Sequence, residues 1–156
     1  MDKEDFQTKV LAAEQSMYRI ARSILSNEED TADAMQNAIL AAYSSLDSLR
    51  QEAYFQTWLT RILINECYSL ARKRSRQISY EESITEKEEQ ISGKEGYSEV
   101  FLEIQNLEKK YRIPFVLYYV EGYSVSEIAK VLHISEGAVR TRLYRSRNLL
   151  KKIYKE

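Results

Sequence analysis

The sequence predicts an all-α protein made of two small helical domains joined by a flexible linker. Its 156 residues include only four Gly and one Pro, too few for the hairpins that a strand-rich fold needs. Apolar residues recur at three- and four-residue steps along most of the chain, as they do in amphipathic helices. Hydrophobic residues make up 44% of the chain, which is enough to form packed cores.

The first predicted domain, residues 1–76, contains three helices. Asn27 is the expected N-cap of the second helix, whose first turn is acidic. The third helix begins near Phe55 and ends in a basic run at residues 72–76. The apolar face of the first helix comprises Phe6, Val10, Ala13, Met17, Ile20, Ala21, Ile24 and Leu25. The apolar positions of the second are Met35, Ala38, Ile39, Ala42, Tyr43 and Leu46.

Residues 77–97 have a different composition. Glu alternates there with Ser, Thr and Lys, two glycines occur, and few apolar residues repeat at any period. Such a stretch buries too little surface to offset the entropy of ordering it. We therefore expect an acidic, flexible linker between the two domains.

The second predicted domain, residues 98–156, contains a helix-turn-helix. Ser124 and Glu127 have the spacing of a capping box, which starts a short helix. A tight connection at His133 follows, and Ser135 caps a final helix that runs from about residue 136 to 154. We expect Ile128, Ala129 and Leu132 to pack on Val139 and Leu143, and Tyr111, Tyr118, Tyr119 and Tyr123 to form core.

The final helix is rich in arginine. Residues 99–156 carry eleven Lys or Arg against seven Asp or Glu, whereas the whole chain has a net charge of −1. With Arg140, Arg142, Arg145 and Arg147 outside the buried stripe, this helix can enter a major groove and contact bases or phosphates. The alternative is a solvated basic face on an ordinary terminal helix.

A second basic segment lies at the end of the third helix. Trp58, Arg61, Asn65 and Tyr68 precede it on the same helix, ahead of the basic run at residues 72–76. Aromatic rings beside Arg and Asn suit unstacked single-stranded bases. The alternative is that Trp58 belongs to the core and that the basic run complements the helix dipole.

Several function classes are disfavoured by composition. One Cys, Cys67, excludes an internal disulfide, and one His, His133, makes a histidine-based metal or catalytic site improbable. No glycine-rich phosphate loop occurs, so we expect no cofactor, no small-molecule substrate and no enzymatic activity. The acidic N-terminus does not resemble a signal peptide and no apolar run is long enough to span a membrane, which favours a cytoplasmic protein.

Three segments of the chain resemble the extracytoplasmic-function (ECF) sigma factors of bacterial RNA polymerase. The segment from residue 33 to Leu49, which begins with DAMQN at residues 33–37, is similar to their polymerase-binding helix. FQTWLTRILIN, at residues 55–65, is similar to the helix that melts and reads the minus-ten element. Residues 121–147, which include SEGAVRTRLYRSR, resemble the reader of the minus-thirty-five element. The resemblance implies sigma region 2 in residues 1–76 and sigma region 4 in residues 98–156.

The resemblance also implies roles for single residues of the first domain. Asp33 and Gln36 would face the clamp helices of the largest polymerase subunit. Asn65 and Leu49 would hold a flipped minus-ten base, and Arg61 would support the strand. These roles make core RNA polymerase and promoter DNA the expected partners.

In the second domain the resemblance implies contacts with the minus-thirty-five duplex. Arg140, Thr141 and Arg145 would make these contacts, while Arg142, Tyr144 and Arg147 would face the DNA backbone or pack within the domain. The family further implies a separate anti-sigma factor, often membrane-bound. The function expected is therefore that of a sigma factor directing promoter-specific initiation.

Two other classes of function remain open from the residues. A stand-alone helix-turn-helix regulator would bind duplex DNA without polymerase, usually as a dimer, but it leaves residues 33–49 and 58–65 unexplained. A helical adaptor that binds only proteins leaves the arginine-rich helix unexplained.

Overall fold

The computed structural model describes residues 1–81 and 99–155 of the chain, with side chains described for residues 1–77 and 99–152. Within these residues all regular secondary structure is helical, as the sequence predicts. The chain divides into two compact units, residues 1–87 and 88–156. Most of the predicted linker, residues 77–97, lies outside the described residues.

The first unit is a three-helix bundle in which each helix packs against the other two. Its helices are α1 (Lys3–Ile24), α2 (Glu28–Ser44) and α3 (Phe55–Glu81). Two 3₁₀ turns, Leu46–Ser48 and Glu52–Tyr54, form most of the connection between α2 and α3. The predicted apolar face of α1 is confirmed, because all eight of its residues are buried.

Helix α2 buries a narrower face than its apolar pattern predicts. Its buried hydrophobic residues are Ala34, Ala38 and Ala42, one per turn, and each is fully buried. Met35 and Ile39 are only half-buried at the edge of this stripe. Because alanine has little volume, α1 and α3 can both approach α2 closely, and the larger apolar side chains are left at the margin.

Polar contacts join the helices of the first unit. Asn27 caps α2 as predicted, since its Oδ1 accepts the backbone N–H of Asp30 at 2.8 Å. The buried Asp30 carboxylate accepts hydrogen bonds from Arg74 on α3, at 2.8 Å from Nη2 and 3.1 Å from Nε. This ion pair raises the pKa of Arg74 and joins the start of α2 to the far end of α3.

Within residues 99–155, the second unit contains four helices and a π-helical turn. They are α4 (Glu99–Gln105), α5 (Lys109–Phe115), the turn (Val116–Val120), α6 (Val125–Leu132) and α7 (Glu136–Lys155). Its core includes Ile104, Leu107, Ile113, Val116, Leu117, Tyr123, Ile128, Val131, Val139, Leu143 and Leu150.

The helix-turn-helix forms as predicted, with one change in its core. The capping box is present, with the Glu127 amide donating to Ser124 Oγ at 3.1 Å and the Ser124 amide donating to Glu127 Oε1 at 3.0 Å. His133 ends α6 in the left-handed conformation at φ 56° and is exposed. Val131 is the fully buried residue beside Ile128, whereas the predicted Leu132 is half-buried.

The expectation that the four tyrosines form core is wrong for two of them. Tyr123 is buried, but Tyr118 and Tyr119 are 38% and 47% exposed. The amide of Glu121 donates to the carbonyl of Val116, five residues back, at 3.0 Å. This wider turn places Val116 and Leu117 in the core and turns the following two tyrosines toward solvent.

Candidate nucleic-acid interface

Helix α7 has one buried face and one exposed face, as a recognition helix requires. Val139, Leu143, Ser146 and Leu150 are buried along one side. At 3.6 residues per turn, Thr141, Tyr144, Arg145 and Asn148 lie on the opposite side, and all four are exposed. We call these four residues the recognition face. A helix held by a helix-turn-helix and presenting such a face can reach base edges in a major groove.

The other predicted arginines lie on the flanks of α7. Arg140 is exposed and its Nη2 lies 3.3 Å from Glu136 Oε2, one turn earlier. An exposed ion pair at this spacing contributes little to stability. Arg140 can therefore exchange Glu136 for a DNA phosphate at low cost. Arg142, on the other flank, and Arg147, on the same flank as Arg140, are half-buried.

Two tyrosines from the preceding segment contact arginines of α7. Arg147 Nη1 donates a hydrogen bond to the hydroxyl of Tyr119 at 3.0 Å. The Arg145 guanidinium lies beside Tyr111 of α5 and lowers the pKa of Tyr111. The recognition helix is therefore held by polar contacts as well as by its apolar face.

The sequence reasoning missed Asn148 as a member of the recognition face. It follows Thr141 by seven residues and Tyr144 by four, the spacing that places residues on one face of a helix. That spacing could have identified it. An exposed Asn on a recognition helix can form a bidentate pair with adenine.

On α3, the predicted aromatic, Arg and Asn residues form one continuous stripe. Trp58, Arg61, Asn65, Tyr68 and Arg72 follow one another at three- and four-residue steps. The stripe lies opposite the buried Leu59, Leu63 and Cys67. Arg61, Asn65 and Arg72 are exposed and the two aromatics are half-buried. We call these five residues the outer stripe of α3.

Trp58 is held by the loop that precedes α3. Its indole Nε1 donates to Ser48 Oγ at 3.0 Å, and its ring lies 5.8 Å from the ring of Phe55. Leu49, the residue after Ser48, is half-buried. The loop carrying Leu49 is thus attached to the outer stripe at Trp58, while Arg61 and Asn65 continue the stripe along the helix.

The basic run at the end of α3 is divided between two faces. Arg72 belongs to the outer stripe, whereas Arg74 lies on the opposite side and pairs with Asp30. Only part of the run is therefore available to a nucleic acid.

Asp33 and Gln36 are both exposed on α2, on the side away from its alanine stripe. The same side presents Leu40 and Tyr43, which are 66% and 50% exposed. We call these four residues the outer face of α2. Exposed apolar side chains beside polar ones are typical of protein-binding surfaces. Tyr43 was missed as a binding candidate because the sequence pattern placed it among the apolar positions of α2, and Leu40 was not singled out by any pattern.

The described residues contain no cluster of three metal-ligating His, Cys, Asp or Glu side chains. Cys67 is buried, and burial raises the pKa of its thiol to about 12. In the part of the chain that the structure describes, no helix combines the length and apolar character that crossing a bilayer requires.

Comparison with known proteins places both units in one family. Residues 10–77 match the family Sigma-70 region 2, and residues 98–150 match Sigma-70, region 4. The chain is 29% identical to the ECF RNA polymerase sigma factor SigW of Bacillus subtilis, over 97% of this chain and 89% of that protein. It is 32% identical to the ECF RNA polymerase sigma-E factor of Escherichia coli K12, over 78% of this chain and 72% of that protein.

Two solved structures share this fold. The sigma factor RpoE of Bartonella quintana, crystallised with the anti-sigma factor NepR, has a TM-score of 0.83 at 24% identity, over 97% of this chain and 98% of that one. CnrH, in complex with the cytosolic domain of CnrY, has a TM-score of 0.73 at 25% identity, over 99% of this chain and 90% of that one. With both regions matched, the chain belongs to the ECF RNA polymerase sigma factors and acts in transcription initiation.

Proposed function

We propose that this sigma factor divides promoter recognition between its two units, one for the minus-thirty-five duplex and one for the melted minus-ten strand. The observation that carries the proposal is the recognition face of α7, exposed directly opposite the side buried in the helix-turn-helix. Sigma factors are non-catalytic initiation factors, and the chain supplies recognition while polymerase supplies the chemistry.

In the second unit, the recognition face enters the major groove. Arg145 and Thr141 contact base edges from its centre, and Asn148 and Tyr144 extend the same surface. Arg140, Arg142 and Arg147 lie on the flanks, where the phosphates of the groove walls run. This arrangement separates sequence reading from backbone binding.

In the first unit, the outer stripe of α3 binds unstacked bases. Trp58 and Tyr68 offer aromatic surface, Asn65 offers an amide for hydrogen bonds, and Arg61 supplies positive charge for the strand. Leu49 contributes from the loop attached at Trp58, so that a flipped base has one apolar and one polar neighbour. A duplex base pair cannot use this arrangement, because its faces are stacked.

The outer face of α2 binds core polymerase, through Asp33 and Gln36. The exposed Leu40 and Tyr43 supply the apolar surface that a specific protein contact needs. This face and the outer stripe of α3 lie on different helices, which allows the first unit to hold polymerase and DNA together.

Regulation of this sigma factor comes from a separate anti-sigma factor. The segment between α3 and α4 lets the two units act on separate targets. Both solved relatives were captured with a protein partner. The site of action is the cytoplasm, where the promoter DNA and polymerase are found.

The proposal is tested by transcription in vitro with purified core polymerase on a library of genomic fragments. We expect transcripts from a small set of promoters that share a minus-thirty-five and a minus-ten element, and none with core polymerase alone. Thr141→Ala, in the recognition face, should reduce these transcripts, whereas Ser126→Ala, an exposed change on α6 away from that face, should not. Tight, specific duplex binding without any polymerase-dependent transcript would favour a stand-alone regulator instead.

A further inference from the structure

The contact between Tyr119 and Arg147 joins the π-helical turn to the recognition helix. The two residues are 28 positions apart, and their hydrogen bond measures 3.0 Å. Tyr119 is nearly half exposed and Arg147 is half-buried, so the pair lies at the surface of the second unit. Neither residue belongs to the buried core that holds the two helices together.

The side of α7 on which Arg147 lies is basic. Arg140 is two turns earlier and Lys151 is one turn later, which places all three cations along one flank. When a recognition helix lies in a major groove, its outer face meets bases and its flanks meet the phosphates of the groove walls. Arg147 is therefore in position to bind phosphate.

The ring of Tyr119 is itself restrained. Its centroid lies 4.7 Å from the ring of Phe115 and 4.8 Å from the ring of Tyr118, the latter edge-on. A ring packed between two others presents its hydroxyl in one direction. The hydroxyl accepts the Arg147 N–H and keeps its own O–H, which can donate to the same anion.

We propose that Tyr119 is a positioning residue for DNA binding, whose hydroxyl holds the Arg147 guanidinium toward a backbone phosphate and donates its own hydrogen to that phosphate. This inference rests on the proposed function of α7, and extends the DNA surface to a residue outside the helix-turn-helix. A guanidinium already oriented loses less conformational freedom when it binds, so the hydroxyl increases affinity without reading sequence.

The test uses the full chain assembled with core polymerase, bound to a fluorescent promoter fragment across a series of salt concentrations. Tyr119→Phe keeps the ring and removes only the hydroxyl. We expect it to weaken binding about three- to tenfold, and by the same factor on a fragment with an altered minus-thirty-five element. Arg147→Ala should reduce the slope of log K against log salt by about 1.

A double-mutant cycle separates positioning from a general structural effect. In the Arg147→Ala background, Tyr119→Phe should have a smaller effect than in the wild type, because the residue it positions is gone and only the direct hydrogen bond from the hydroxyl to the phosphate is left to lose. Tyr118→Phe removes the same group from the neighbouring ring and is the matched control, expected to bind like the wild type. Thermal melting of each variant shows that the fold is retained.

The inference is overturned if Tyr119→Phe binds like the wild type, if its loss persists in full beside Arg147→Ala, or if Tyr118→Phe shows the same loss. The inference is also overturned if Tyr119→Phe weakens binding to the matched promoter only, because a sequence-dependent loss of affinity indicates contact with bases. Failure of the wild-type holoenzyme to bind any promoter would instead refute the proposed function.

Discussion

Trp58 of α3 donates its indole N–H to the hydroxyl of Ser48, in the loop after α2, at 3.0 Å. The same hydroxyl donates to the carbonyl of Ser45 at 2.7 Å, beside the backbone hydrogen bond from the Ser48 amide at 2.8 Å that closes the 3₁₀ turn. The Ser48 hydroxyl thus restrains both the loop and the Trp58 side chain. Because Leu49 follows directly, this pair of bonds also determines where the proposed base-capturing leucine is held.

Ser48→Ala should loosen this loop. Trp58 is the single tryptophan of the chain, so its fluorescence reports on the contact directly. We expect a red-shifted emission and stronger quenching by acrylamide, together with reduced promoter melting. Ser44→Ala, an exposed change at the end of α2, is the control and should leave the emission unchanged. Wild-type quenching in Ser48→Ala would show that the hydrogen bond does not restrain the loop.

Asn65→Ala should impair promoter opening more than duplex binding. Asn65 is exposed in the outer stripe of α3, between Arg61 and Tyr68, where an unpaired base can use its amide. Permanganate reactivity of minus-ten thymines measures opening, and a filter-binding assay on the same fragment measures total binding. Gln56→Ala, exposed at the start of α3 but off the stripe, serves as the control. A normal permanganate footprint in Asn65→Ala would contradict the assignment.

Arg145→Ala should weaken binding to the matched promoter by about 1–3 kcal/mol, the range for one good base contact. Arg145 is exposed and lies in the recognition face, beside Tyr111 of α5. The measurement is competition between the matched fragment and fragments altered at single minus-thirty-five positions. On the fragment altered at the one position that Arg145 reads, Arg145→Ala should bind as well as the wild type does. An equal loss on every fragment would assign Arg145 to the backbone.

Arg74→Ala should destabilise the first unit by about 1–3 kcal/mol, because it leaves the buried Asp30 carboxylate without its charged partner. The free energy of unfolding, followed by circular dichroism in urea, measures the effect. Lys73→Ala, the exposed neighbouring cation, should change it by less than about 0.5 kcal/mol. Equal effects of the two substitutions would mean that the ion pair contributes no specific stability.

Cys67 should be unreactive in the folded protein. Burial raises the pKa of its thiol from 9.0 to about 12, so almost no thiolate, the reactive form, exists at pH 8. A disulfide reagent such as Ellman's should react at once in denaturant and slowly in buffer. Because the folded pKa is the higher one, this group's contribution to stability is complete below pH 9 and is lost as the pH rises toward 12. Rapid labelling in buffer would contradict this burial.

Much of the fold follows from local pattern. The N-caps at Asn27 and Ser124 involve residues three apart, and the buried face of α1 repeats with the helix period, so both could be predicted without long-range information. The outer stripe of α3 and the arginines outside the buried face of α7 follow from the same periodicity. The family resemblance of residues 33–49, 55–65 and 121–147 then supplied the function that local pattern could not.

By itself, the sequence determined the helices, their caps, the helix-turn-helix and the family. Only the tertiary structure decided that Arg74 pairs with Asp30, that Tyr118 and Tyr119 face solvent, and that Tyr119 holds Arg147. The physical reason is distance along the chain. Caps and helix faces depend on neighbours within one or two turns, whereas these contacts join residues 28 and 44 positions apart. The packing of whole helices determines which residues meet in these contacts. The periodicity of the sequence carries no information about that packing.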